Sequence, residues 1–166
     1  MEIAIISDTH SYLDNKIWKY LEAVDEVWHA GDVGKVEVID SIKKIKPLYG
    51  VYGNIDDHIV RKVLPEYLVL ERQGLKIAMT HIGGKPYAYP AKVASWLDEV
   101  KPDIYICGHS HILRVERDKK RNFLFMNPGA CGVHGFHKVK TLLLLSIENG
   151  KPGNLRIVEL GPRAKL

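Results

Sequence analysis

Short apolar runs broken by polar, glycine-bearing joints recur along the chain, and their spacing predicts alternating strands and helices. Residues 2–7 read as a buried strand, and Ile17, Trp18, Leu21 and Val24 fall at helical spacing over 15–24 behind a cap candidate at Asp14. Val27 and Trp28 make a short second strand. Val36, Ile39, Ile42 and Ile45 repeat at helical spacing until Pro47, whose missing N–H should stop that helix, and 48–52 forms a third strand ended by Gly53. This opening predicts a parallel βαβαβ unit. Next come strand-like runs at 67–70 and 76–80 around a Gln73-Gly74 turn, a loop from Gly83-Gly84 to Pro90, a helix over 91–100 and a buried strand at 104–107. Runs at 113–116, 123–126, 141–147 and 155–159 then follow in close succession as a meander. An α/β half and a mostly antiparallel half are therefore expected to form two sheets packed face to face, with helices outside. No repeat or linker interrupts the pattern, so one domain over 1–166 is expected.

Composition narrows the class. A chain of 166 residues can bury a core without disulfides or structural metal, and 46% hydrophobic with 27% charged residues is a globular balance. No apolar run approaches the roughly 20 residues that span a bilayer. Ser7 and Asp8 also cut the first run too short for a signal peptide, so a cytoplasmic protein with no membrane partner is expected. The net charge of +4 is mild and would weakly steer anionic substrates. Lys119, Lys120 and Arg121, flanked by Asp118 and Asn122, read as a solvated hairpin turn in preference to a nucleic-acid patch. Cys107 and Cys131 are the only cysteines, expected reduced and partly buried as small core hydrophobes, with a ligand or nucleophile role the minority reading.

The chemistry stands at the strand ends. Asp8-Thr9-His10, Gly31-Asp32, Gly53-Asn54, His81 and Gly108-His109-Ser110-His111 each follow an apolar run. In an open α/β sheet the carboxyl ends of the strands gather such loops at one rim. Each motif alone is ordinary: Gly-Asp and Gly-Asn are common turns, and a single histidine after an apolar run is more often a core residue. Their joint occurrence in one setting carries the signal. Seven oxygen and nitrogen donors, Asp8, His10, Asp32, Asn54, His81, His109 and His111, suit two metal ions better than one.

Asp-x-His, Gly-Asp, Gly-Asn-x-Asp, a lone His and Gly-His-x-His in this order resemble the calcineurin-like metallophosphoesterase superfamily. The Asn127-Pro128-Gly129-Ala130 stretch and the short length resemble its small single-domain phosphodiesterase branch. The resemblance runs from Asp8 to about Gly135. It implies an α/β fold, a four-layer α/β/β/α sandwich of two packed mixed β-sheets flanked by helices, holding two divalent ions. One ion would be held by Asp8, His10, Asp32 and His111, the other by Asp32, Asn54, His81 and His109, with Asp32 bridging and Asp32, Asn54 and His109 closest to the reaction.

One departure stands out. Many members carry a histidine directly after the Asn as proton donor to the leaving group, and here that position is Ile55. Asp56 matches an acidic residue that usually orients a metal-side histidine. His58 is a substitute donor candidate, and His29 reads as packed or supporting. Tyr12, His134, His137 and the loop from Gly83 to Tyr89 are candidates for the substrate wall.

The expected activity is phosphodiester hydrolysis by a hydroxide that two metal ions activate, with charge on phosphorus oxygens neutralised as the transition state forms. The mixed donor set suits Mn2+ and also admits Ni2+, Fe2+, Co2+ or Zn2+. A small-molecule or nucleotide diester is the expected substrate; nucleic acid and a homo-oligomer stay open. The rivals are a non-catalytic metallophosphoesterase-like scaffold that binds protein, and a phosphomonoesterase or nucleotidase.

Overall fold

The computed structural model describes residues 1–163, so the last three positions of the expected domain lie outside the described residues. Parallel strands β1 (Glu2–Ile6), β2 (Glu26–His29) and β3 (Leu48–Gly50) alternate with helices α1 (Trp18–Leu21) and α2 (Val36–Lys43). Helix α3 (His58–Val63) leads to the hairpin β4 (Tyr67–Arg72) and β5 (Leu75–Thr80). Helix α4 (Ala91–Val100), β6 (Ile104–Ile106), β7 (Arg114–Asp118), β8 (Phe123–Asn127), β9 (Val139–Glu148) and β10 (Lys151–Pro162) complete the order.

The strands form two mixed sheets of five, in the orders β10-β9-β1-β2-β3 and β4-β5-β6-β8-β7. Alternation along each strand makes the layers. Ala4 and Ile6 of β1 join Leu142 and Leu144 of β9 under the first helices, while Ile3, Ile5, Leu143 and Leu145 face the second sheet. There they meet Ile77, Met79, Ile104, Ile106 and Met126 in a core shared by the two sheets. On the far face, Ala78, Tyr105, Phe123 and Phe125 pack against Val93 and Leu97 of α4. The result is the α/β/β/α sandwich.

The chain does not divide into an α/β half and an antiparallel half. Strands β9 and β10 return to the first sheet, with β9 antiparallel to β1. Residues Leu142 to Leu145 are apolar on both faces, and only a central position covers both. In the second sheet β5, β6 and β8 run parallel, with β4 and β7 antiparallel at the edges.

Helices depart from expectation at their ends. The helix expected over 15–24 is a 3-10 turn, Asn15–Ile17, followed by the short α1, with the Asp14 side chain accepting the Lys16 N–H as a cap. Helix α2 ends at Lys43, ahead of Pro47. Helix α3 was not anticipated: Asp57 caps it by accepting from the N–H groups of Ile59 and Val60, but only Val60 is buried, which leaves almost no apolar periodicity to read. No helix among the described residues is long and apolar enough to cross a membrane.

Candidate metal centre

The parallel strands of both sheets end at the same rim, and the loops leaving them are tied together by backbone bonds. Asp8 N–H donates to Gly31 O (2.9 Å), His10 N–H to Asp32 O (3.0 Å) and Gly108 N–H to His81 O (3.1 Å). Asp8, His10, Asp32, His109 and His111 all adopt left-handed backbone, with φ of 56°, 46°, 54°, 68° and 57°. For residues with a Cβ this conformation costs about 1–2 kcal/mol each, and such strain concentrates at functional sites. It turns each side chain back over the rim.

Two clusters result. Ligating atoms of Asp8, His10 and His111 lie within 4.8 Å of one another, as do those of Asp32, His81 and His109. Asp32 faces both: Oδ2 is 3.5 Å from His10 Nε2 and Oδ1 is 3.2 Å from His81 Nε2. Asp8 Oδ1 lies 3.2 Å from His111 Nε2 and 4.0 Å from His81 Nε2. His109 stands beside His81, ring centroids 5.3 Å apart. Asn54 is exposed in the loop after β3 and lines one small cavity together with His81.

The donor set fits divalent cations. Asp8 Oδ1, His10 Nε2 and His81 Nε2 are buried without a properly aligned hydrogen-bond partner, a costly condition that a coordinated cation relieves. The His81 Nδ1 lies 2.7 Å from the carbonyl of Ala30, which can only accept, so Nδ1 carries a proton and Nε2 is the atom turned to the cluster, where a bound cation would take the place of its proton. Burial opposes ionisation of Asp32, but contact with His81 and the Ile55 N–H outweigh it and hold the carboxyl below its usual pKa. Burial also lowers the His81 pKa, yet Asp32 and the charge of Asp8 raise it above the ordinary value.

Supporting residues tie down the backbone. Asp56 does not orient a histidine, as expected from the resemblance; its carboxylate accepts from the N–H groups of Gly53 (2.7 Å), Gly34 (2.7 Å) and Val33 (3.2 Å) and so joins the Asp32 turn to the Asn54 loop. His29 is buried and packed. Gly31 N–H donates to its Nδ1 (3.1 Å), so Nε2 carries the proton and lies 3.0 Å from Thr9 Oγ1. Burial lowers its pKa to about 4. At Gly31, with φ 95°, a Cβ would sit 2.5 Å from His81 Nδ1, so only glycine lets this turn pass the histidine.

The remaining candidates divide. His134 reaches the His10 ring (5.5 Å between centroids), and His137 reaches His111 (5.3 Å) while bonded through Nε2 to Gly132 O. Phe136, between them and 80% exposed, stacks on His111 at 5.8 Å. That loop borders the first cluster. The loop from Gly83 to Tyr89 contributes Gly84, Lys85, Ala88 and Tyr89 to a larger cavity that His109 also lines. Tyr12 instead packs its ring 5.5 Å from Lys140 Nζ. His58 is exposed on the first turn of α3. Cys107 and Cys131 are fully buried, not partly, and burial pushes both thiols up to about 12, which makes them inert.

Arg61 has no signal in the sequence. From α3 its Nε donates to Asp56 O (2.7 Å) and its Nη2 to Asn54 O (3.4 Å), bracing the loop that carries Asn54. The contact depends on α3, which the apolar pattern conceals.

Comparison with known proteins agrees with this geometry. The calcineurin-like phosphoesterase superfamily domain matches residues 1–150, and the chain belongs to that family. It is 31% identical over 166 aligned residues to a probable metallophosphoesterase of Methanocaldococcus jannaschii, covering 96% of this chain and 82% of the relative. A phosphodiesterase of the same organism is 29% identical over 150 residues, covering 79% and 84%. Among solved structures, Vps29 of Entamoeba histolytica complexed with zinc superposes with a TM-score of 0.74 at 20% identity, covering 97% of this chain and 99% of that one. That likeness concerns the fold.

Proposed function

We propose that this protein is a cytoplasmic, single-domain phosphodiesterase acting through two divalent ions, with Mn2+ the first choice for activity and Ni2+, Fe2+, Co2+ or Zn2+ as alternatives. The observation that carries the reading is the double contact of Asp32, whose two oxygens face histidines of different clusters. Asp8, His10, Asp32 and His111 would hold one ion, and Asp32, Asn54, His81 and His109 the other. The bound ions would supply Lewis acidity, making hydroxide available near neutral pH and neutralising phosphate oxygens.

The chain's own residues supply positioning. His81 is held in one tautomer by Ala30. The His109 N–H donates to Asp8 Oδ2 (3.2 Å), which leaves Asp8 Oδ1 to the cluster. Asn54 adds an uncharged donor, so the site does not become too anionic for a phosphate ester. No side-chain nucleophile is needed. Ile55 cannot donate a proton, so the leaving group departs without help from that position.

A binding scaffold is favoured by one feature, the exposed Phe136 at the rim of the site. The intact set of seven donors favours the enzyme. Metal analysis combined with hydrolysis of bis(p-nitrophenyl) phosphate and p-nitrophenyl phosphate separates the readings. The proposal expects bound metal and faster cleavage of the diester; bound metal without cleavage of either ester supports the scaffold, and faster monoester cleavage supports a phosphomonoesterase.

A further inference from the structure

A cavity of about 620 Å3 opens beside His109, within the roughly 300–1,000 Å3 typical of small-molecule sites. Its walls are apolar: Ile82, Ala88, Tyr89, Pro90, Ile112 and Phe125. The polar groups it contains are largely committed elsewhere. Tyr89 donates its hydroxyl to Asp118 Oδ2 at 2.7 Å, which holds the ring as a wall. Asn127 donates to Gly108 O and Ser110 Oγ and accepts from Gly129 N–H. Arg114 directs Nε and Nη2 at Glu116. Ser110 Oγ accepts from both Asn127 and the Ile112 N–H, which leaves its proton as one donor for a ligand.

Such a lining rewards burial of apolar surface and offers few partners to a group that needs several hydrogen bonds, such as a nucleobase edge. His109 belongs both to this cavity and to the second metal-ligand cluster, so the cavity continues directly into the metal centre. Lys85 adds a positive charge to the lining, complementary to a phosphate monoanion, while the charge of Arg114 is paired with Glu116. Ile82 also lines a second, smaller cavity of about 110 Å3, together with Asn54 and His81.

We propose that the larger cavity receives an apolar arm, aryl or of similar bulk, of an asymmetric phosphodiester whose phosphate lies at the metal centre. The inference rests on the diesterase reading and names its substrate class. The bulky arm lies past His109 between Tyr89 and Ile112, and the small arm lies on the Asn54 side of Ile82.

Binding separates this inference from the activity itself. The Mn2+-loaded protein is titrated calorimetrically with the monomethyl esters of methyl-, benzyl- and naphthylmethylphosphonic acid, whose varied arm is attached through carbon and is not cleaved. Affinity should rise at least roughly tenfold from the methyl to the naphthylmethyl compound, as expected for burial of an aromatic group. Methyl NMR signals of Ile82 and Ile112 should shift with the aryl compounds, and Ala88→Trp, which fills the cavity, should bring the affinity ratio close to one. Equal affinities across the series in the wild type, or shifts confined to other isoleucines, would overturn the proposal without depending on whether the variant folds. Arm-dependent binding with no hydrolysis of any diester would leave the cavity assignment standing and remove the catalytic reading.

Discussion

Gly53 passes so close to Asp32 that no side chain fits between them: a Cβ on residue 53 would lie 2.0 Å from Asp32 Oδ1 and 2.3 Å from its backbone nitrogen. The glycine is therefore part of the candidate metal centre. It allows the Asn54 loop to close over the carboxylate that faces both clusters. Gly53→Ala should displace that carboxylate and weaken Mn2+ binding by roughly 10–100-fold, the range seen when groups orienting ligands are lost. Titration of the stripped protein followed by Mn2+ electron paramagnetic resonance reads this directly, and unchanged affinity would count against it.

Asp56 is 3% exposed and accepts from three backbone N–H groups of two loops. Asp56→Ala leaves those donors buried and unpaired. The loss should be about 3 kcal/mol or more in metal-free urea unfolding, because bonds to a charged acceptor are the stronger kind. A loss below about 1 kcal/mol would mean that water replaces the carboxylate at little cost.

The pH dependence of stability carries the mark of His29. Its burial holds the imidazole at a pKa of about 4 when folded, against 6.5 for the free side chain. As pH falls from 6.5 to about 4 the unfolded chain takes up a proton that the folded chain refuses, so stability falls through that window and levels off below it. The stabilisation is fully present above 6.5. In the metal-free protein, His29→Gln should flatten the slope relative to wild type by up to about 1.4 kcal/mol per pH unit. Parallel slopes would show that His29 does not titrate as described.

These residues also mark how far the sequence could be read. The ladder of donors was legible because each motif follows an apolar run, and parallel strands bring such ends to one rim. The contacts that hold the ladder in place were not. Asp56 works through backbone donors 22 and 23 residues earlier in the chain, which leave no trace in side-chain pattern. The left-handed backbone of Asp8, His10, Asp32, His109 and His111 is equally silent, since none of them is glycine. Strand β9 misled because a two-sided apolar run indicates burial without naming the sheet that provides it.

Ile55 predicts the substrate preference. Its backbone N–H donates to Asp32 Oδ1 at 3.1 Å, while its side chain, 45% exposed, has no proton to give. Rates should therefore depend steeply on the leaving group: p-nitrophenyl diesters cleave readily and alkyl diesters slowly. The slope of rate against leaving-group pKa is the readout. Equally fast hydrolysis of alkyl diesters would require a donor elsewhere in the site.

In the proposed function Asp32 joins two ions into one hydrolytic centre. The most direct measurement is the rate of bis(p-nitrophenyl) phosphate hydrolysis by Mn2+-loaded wild type and Asp32→Ala, both checked for folding by circular dichroism. The wild type should hydrolyse the diester, and the rate should fall by at least roughly 100-fold in the variant, in line with the loss of a principal electrostatic element. A folded Asp32→Ala protein that keeps the wild-type rate would contradict that proposal.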